Sequence, residues 1–226
     1  MPASQLEWTN APGPETLPDG EVHVWRTSAR TGGQKIDDLA HRFLRVLLGR
    51  YTGTAPGDIR FRSGRYGKLF LDGRSGASGL QFNLSHSGTT ALIVLAFGKR
   101  VGVDVERVRA AARIDDIMAE FFSQEEAARI RALTGASRIE AFYSCWTRKE
   151  AAVKALGGSI MLLADKVIVS GPQEHDARLL QIPSDLGSPG EWRLLDLPVP
   201  AGSAAALCHE APAAPVRLWT PPDWNR

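Results

Sequence analysis

Three carboxylates and a lysine stand in this chain at spacings that call for a countercharge. In VGVDVER, residues 101–107, valines alternate with Gly102, Asp104 and Glu106. A strand turns successive side chains to opposite faces, so Val101, Val103 and Val105 share one face and the two acids share the other. Carboxylates two residues apart on one face repel each other, and a hard cation is the simplest remedy. A third carboxylate, Glu150, falls in WTRKEAAVK, residues 146–154. There Ile139, Phe142, Tyr143, Trp146 and Val153 follow helical spacing, and Glu150 lies on the same stripe. A carboxylate on a buried stripe is costly unless it is paired or metal-bound. The expectation is that Asp104, Glu106 and Glu150 hold one Mg²⁺, or Mn²⁺ in its place.

Plainer readings compete. Asp104 and Glu106 could form a solvated edge beside Arg107. Glu150 and Lys154 make an ordinary i,i+4 pair worth a few tenths of a kcal/mol. Arg148 and Lys149 could be surface charges. Two features favour the metal reading. The apolar strand ALIVLAF, residues 91–97, precedes the acids and makes a central hairpin with them, and Gly102 leaves open space beside the pair. His86 lies in a Ser85-His86-Ser87-Gly88 turn, where it is either structural or faces an anion, since such a turn can cradle a phosphate. No P-loop, G-x-G-x-x-G, G-x-S-x-G, H-E-x-x-H or C-x-x-C motif occurs. Ser85 beside His86 is no catalytic dyad without a third, orienting group. Together these residues point to a metal-bridged phosphate or pyrophosphate site with chemistry at phosphorus.

The positioning elements read as follows. Residues 1–20 are rich in Pro and Gly and read as a loose segment. EVHVWR, residues 21–26, is a strand. Ile36, Leu39, Ala40, Phe43, Leu44 and Leu47 form a helical stripe with Gly49 near its end as C-cap, and His41, Arg42 and Arg45 on the outer face, which is either a solvated helix face or a phosphate contact. Residues 58–62 and 68–71 are short strands, 81–84 is a strand entering a turn, and 91–97 is a longer strand. Gly98-Lys99-Arg100 turns the last into VGVDVER. The stripe Ile114, Ile117, Met118, Phe121 and Phe122 is helical, either core or a partner-facing surface. Two S-x-x-E capping boxes follow: Ser123 with Glu126, and Ser137 with Glu140, the second starting the helix of Glu150, which Gly157-Gly158 ends. Strands at 166–170, 177–182, 191–197, 204–209 and 216–219 complete the chain. This is an α+β chain divided as 21–107 and 108–226.

Its 226 residues are 43% hydrophobic and 23% charged with a net charge of +2, an ordinary globular composition too weakly basic to argue for nucleic acid. Two cysteines make no disulfide scaffold and suit a reducing cytoplasm. The longest apolar run, residues 91–97, is too short to span a bilayer, and no basic-then-apolar leader opens the chain.

Three ordered blocks resemble the 4′-phosphopantetheinyl transferases of the surfactin-synthetase-activating type: YGK at 66–68 leading to FNLSHS, then GVDVE, then W-x-x-K-E-x-x-x-K as WTRKEAAVK. The resemblance covers roughly residues 58–158. It implies two similar α/β halves related by a pseudo-twofold axis within a monomer, with coenzyme A in the cleft between them. It implies transfer of the 4′-phosphopantetheine arm to a serine of an apo acyl or peptidyl carrier protein, with release of adenosine 3′,5′-bisphosphate. Asp104, Glu106 and Glu150 match the metal-binding acids. Ser85 and His86 match residues at the coenzyme A phosphates, Lys154 the lysine near the pyrophosphate, and Tyr66, Gly67 and Lys68 a segment along the nucleotide. Glu150, directly or through a metal-bound water, would take the proton of the incoming serine, with Lys154 and His86 as donors to the phosphate oxygens. The chain departs from the family in a shortened basic stretch, residues 27–35, before the first helix. Arg30, Lys35, Arg42 and Arg45 remain as candidates for the 3′-phosphate, Arg45 first.

Overall fold

The computed structural model describes residues 6–11, 17–29, 35–64, 67–72, 79–110, 113–172, 174 and 176–221. In chain order these form β1 (Trp8–Asn10), β2 (Val22–Ser28), α1 (Ile36–Thr52), β3 (Phe61–Ser63), β4 (Leu69–Leu71), β5 (Leu80–Ser87), β6 (Thr90–Phe97), β7 (Val101–Arg107), α2 (Ile114–Phe121), α3 (Gln124–Arg131), α4 (Gly135–Leu156), α5 (Ile160–Leu163), β8 (Ile168–Val169), β9 (Leu179–Gln181), β10 (Trp192–Asp196), β11 (Ser203–Glu210) and β12 (Val216–Thr220). No helix among them is long and apolar enough to cross a membrane.

Two sheets carry the architecture. The first runs β1-β12-β2-β6-β5 and the second β10-β11-β7. The apolar alternation of β6 explains its place in the first. Ile93 and Leu95 pack with Phe43, Leu44, Leu47 and Leu48 of α1. Leu92, Val94 and Ala96 pack with Val101, Val103 and Val105 of β7 and with Leu207 of β11. The opposite face of β11, Ala206 and Cys208, meets Ala151, Ala152 and Ala155 of α4. The layers therefore run α1, first sheet, second sheet, α4.

Several expectations are corrected here. Gly98-Lys99-Arg100 is no hairpin turn: β6 pairs with β2 and β5, β7 pairs antiparallel with β11, and the turn carries the chain from one sheet to the other. The valine face of β7 is better buried on the first sheet than exposed beside it. The sheets do not divide the chain at residue 107, since β7 joins the second and β12 the first. Trp8–Asn10, within the segment read as loose, is an edge strand parallel to β12. The C-cap of α1 is Gly53, in the left-handed conformation, and Gly49 is buried inside the helix. Helix α4 starts at Gly135, so Ser137 is internal and its capping box does not form. The Ser123–Glu126 box does form, and Gly157 closes α4. Met118 and Phe122 are buried, with Ile114, Ile117 and Phe121 packed against the same core.

Candidate active site

The site lies where the edge of the first sheet, β5, meets the edge of the second, β7. No backbone ladder joins them, and side chains of β5 substitute for one. Asn83 Oδ1 accepts the Val103 N–H at 3.0 Å, Ser85 Oγ the Val105 N–H at 3.4 Å and Ser87 Oγ the Arg107 N–H at 3.1 Å. Alternate residues of one strand thus satisfy alternate amides of the other, which only extended chains in matching register can do. The two serine hydroxyls then donate onward, Ser85 to Asp104 Oδ1 and Ser87 to Glu106 Oε2, each at 2.7 Å. This register keeps the chain extended through Ser87. His86 therefore sits on a strand, and the turn is Gly88-Thr89, with Gly88 at φ 61°.

Helix α4 supplies the other wall. A Cβ on Gly102 would collide with the backbone of Ala151 and Ala155. The space expected beside the acids is filled by the helix, and glycine is what admits it. This close approach sets Lys154 Nζ 2.6 Å from Asp104 Oδ1 and 3.3 Å from Glu150 Oε2. Asp104 is 2% exposed, and its Oδ2 has no hydrogen-bond partner.

A cleft of about 400 Å³ opens here, lined by His41, Leu44, Gly67, Lys68, Asn83, Ser85, His86, Asp104, Glu106, Glu150 and Lys154 among others. It brings together all three acids, His86, Ser85, Lys154, Gly67 and Lys68. Tyr66 and Arg30 lie outside the described residues. Arg45 is not among the lining residues: its guanidinium donates to Ile59 O at 2.8 Å and Pro56 O at 3.3 Å and lies over the Phe61 ring. Among the described residues no three acid, histidine or cysteine side chains are gathered closely enough to hold an ion as they stand. The countercharge of Asp104 and Glu150 is the Lys154 ammonium.

Electrostatics follow from burial. Glu106 is raised above the ordinary carboxylate value, chiefly by burial, against the Ser87 hydrogen bond that lowers it. Glu150 is raised, again chiefly by burial, with Lys154 opposing and Asp104 adding. Burial alone would lower Lys154, but Asp104 and Glu150 outweigh it and the net direction is up. Lys68 is lowered to about 8, by burial first and by Arg100 next. Its ammonium donates to Lys154 O at 2.9 Å and Val101 O at 3.2 Å, tying the β4 segment to the end of α4.

Two contributors were not singled out from sequence, Asn83 and Asp37, while Ser87 was read as part of a turn and His41 as part of an outer helix face. Asp37, in the first turn of α1, lies 3.0 Å from His86 Nε2 and 3.1 Å from His41 Nδ1. The signal for Asn83 and Ser87 was the period-two match of NLSHS to VDVER. Arg148 and Lys149, weighed as surface charges, are fully buried.

Comparison with known proteins agrees with this block. A profile of the 4′-phosphopantetheinyl transferase superfamily matches residues 100–208, from β7 through β11. The 4′-phosphopantetheinyl transferase HetI of Nostoc sp. (strain PCC 7120) is 31% identical over 247 aligned positions, covering 98% of this chain and 99% of that protein. AcpT of Salmonella typhimurium is 36% identical over 115 residues, 51% of this chain and 57% of that protein. The 4′-phosphopantetheinyl transferase gsp of Aneurinibacillus migulanus is 34% identical over 120 residues, 53% of this chain and 47% of that protein. With one relative matched end to end, and the profile covering β7 and α4, two of the elements that build the cleft, the chain belongs to the 4′-phosphopantetheinyl transferase superfamily.

Proposed function

We propose that this enzyme, of the surfactin-synthetase-activating type, transfers the 4′-phosphopantetheine arm of coenzyme A to a serine of an apo acyl or peptidyl carrier protein. Adenosine 3′,5′-bisphosphate leaves, and the reaction depends on Mg²⁺. The observation that carries the reading is the gathering of Asp104, Glu106, Glu150, Lys154, Lys68 and His86 on one cleft between two sheet edges. The proposed pseudo-symmetric halves are residues 21–107 and 108–226, each with one long helix, α1 and α4, and one chain acting alone in the cytoplasm would suffice.

The residues fit a divalent ion. Asp104 presents a buried carboxylate oxygen with no partner, and an unsatisfied buried acceptor of this kind is expensive without a ligand. Asp104, Glu106 and Glu150 would hold the ion, an all-oxygen donor set that suits Mg²⁺. When bound, it would supply positive charge to the diphosphate and its leaving group.

The remaining chemistry belongs to the chain. Ser85 and Ser87 hold the β7 acids in place through short hydrogen bonds. Lys154, now neutralised by Asp104 and Glu150, is the cation that turns to the phosphate oxygens when the ligand enters. His86 donates beside it. Glu150, raised by burial, is a stronger base than an exposed glutamate and takes the proton from the serine hydroxyl. The serine oxygen bonds to the phosphorus that bears pantetheine, and the P–O bond to the nucleotide breaks. The test is direct. After incubation with coenzyme A, Mg²⁺ and an apo carrier protein, the carrier should gain the mass of one phosphopantetheine. Phosphate release without that gain would refute the reading.

A further inference from the structure

We infer that Lys149 is a positioning residue: its buried ammonium, locked onto Glu126, sets the rotation of α4 that turns the next side chain, Glu150, into the cleft. The inference rests on the reading of Glu150 as a working group of that cleft.

Lys149 and Glu126 side chains are 0% and 1% exposed. Lys149 Nζ lies 3.1 and 2.8 Å from the two Glu126 oxygens and donates to Val167 O as well. Glu126 also accepts the N–H of Ser123 at 2.8 Å and of Val169 at 2.9 Å. One node thus joins the start of α3, the middle of α4 and β8, with every donor and acceptor satisfied. Arg148, one residue earlier, makes a second node. Its guanidinium meets Asp196 of β10 at 2.8 and 2.6 Å, Ser170 O at 2.9 Å and Gly171 O at 2.7 Å.

Successive helix residues point about 100° apart. Arg148, Lys149 and Glu150 therefore leave α4 in three directions, and two of them are fastened to different neighbours, Lys149 to α3 and Val167 and Arg148 to β10 and the segment 170–171. The third direction is then determined. A rigid helix cannot roll Glu150 away from Asp104 without breaking both nodes. Stability is a poor reason for such a pair, because a buried ion pair often does no better than an apolar pair of the same volume. Directional hydrogen bonds, by contrast, fix a rotation that an aliphatic contact would let slip.

The experiment removes the pair together, since Lys149 replaced alone would strand a buried carboxylate. In Glu126→Leu/Lys149→Met, carrier loading and calorimetric binding of Mg²⁺–coenzyme A are measured beside the melting temperature. The expected result is an unchanged or higher melting temperature, a kcat lower by about 10²-fold, an unchanged KM for the carrier and weaker Mg²⁺–coenzyme A binding. Glu126→Gln/Lys149→Gln, which keeps hydrogen bonding without charge, should recover most of the loss; it also serves if the first variant does not fold. Wild-type kcat and affinity in the apolar double variant would overturn the inference, as would a Gln/Gln variant no better than the apolar one. Wild-type protein that binds Mg²⁺–coenzyme A but loads no carrier would defeat the proposed reaction, and calorimetry on the variants would still decide the positioning.

Discussion

Asp104 concentrates the chemistry of the site in one carboxylate: one oxygen shared by Ser85 and Lys154, the other buried without a partner. Asp104→Asn keeps the shape and removes the charge. Transfer should fall by about 10³-fold with the circular dichroism spectrum unchanged; loading at the normal rate would contradict the assignment. Lys68 adds a pH dependence. Its folded value, about 8, lies below its ordinary 10.5. The charged form is therefore penalised in the fold: stability is lowest below about 8 and recovers as pH rises toward 10.5. Affinity for coenzyme A should decline as pH passes 8, and Lys68→Met should abolish that decline in a binding titration. That the acids share a partly buried neighbourhood was legible in the sequence, because carboxylates on an alternating strand or an apolar stripe contradict their surroundings; the place of Lys154 and His86 beside them came from the resemblance. Arg45 was not legible, since a basic residue on an outer helix face looks the same whether it meets a ligand or, as here, loop carbonyls. Nor were Arg148 and Lys149, whose partners Asp196 and Glu126 lie 48 and 23 residues away.

At the scale of elements, the site is the contact of α4 with β7 and of β7 with β5. Gly102→Ala would drive a methyl into α4 backbone. It should cost about 2 kcal/mol or more, a fall of roughly 5 °C in melting temperature, and activity should fall with it because Glu150 and Lys154 move off Asp104. Ser87→Ala should lower loading about tenfold. It should also move the acid limb of the pH–rate profile upward, since the Ser87 hydrogen bond lowers the Glu106 pKa; an unmoved limb would argue against that bond. Periodicity revealed α1, β6, β7 and α4 well, because each has a long buried stripe. Boundaries were less legible. SHSG reads as a turn only while the partner of its serines is unknown. Ser137 with Glu140 has the pattern of a cap, but α4 begins a turn earlier at Gly135.

Over the whole molecule, two sheets abut at their edges and are stitched by side chains, and the cleft lies along that seam. The hairpin expected at residues 98–100 was a local reading of a non-local choice. The partner of β7 is β11, which starts almost a hundred residues later, and no feature of GKR announces a change of sheet. The same holds for β12, which returns to the first sheet beside β2. Composition and pattern could name the elements but not which sheet each would join. The central claim is that this seam gathers three carboxylates around one divalent ion beside coenzyme A. Electron paramagnetic resonance of Mn²⁺ titrated into protein with coenzyme A tests it most directly. The account predicts one bound Mn²⁺ per chain in the wild type and loss of that site in Asp104→Asn and Glu150→Gln; equal binding in all three would contradict it.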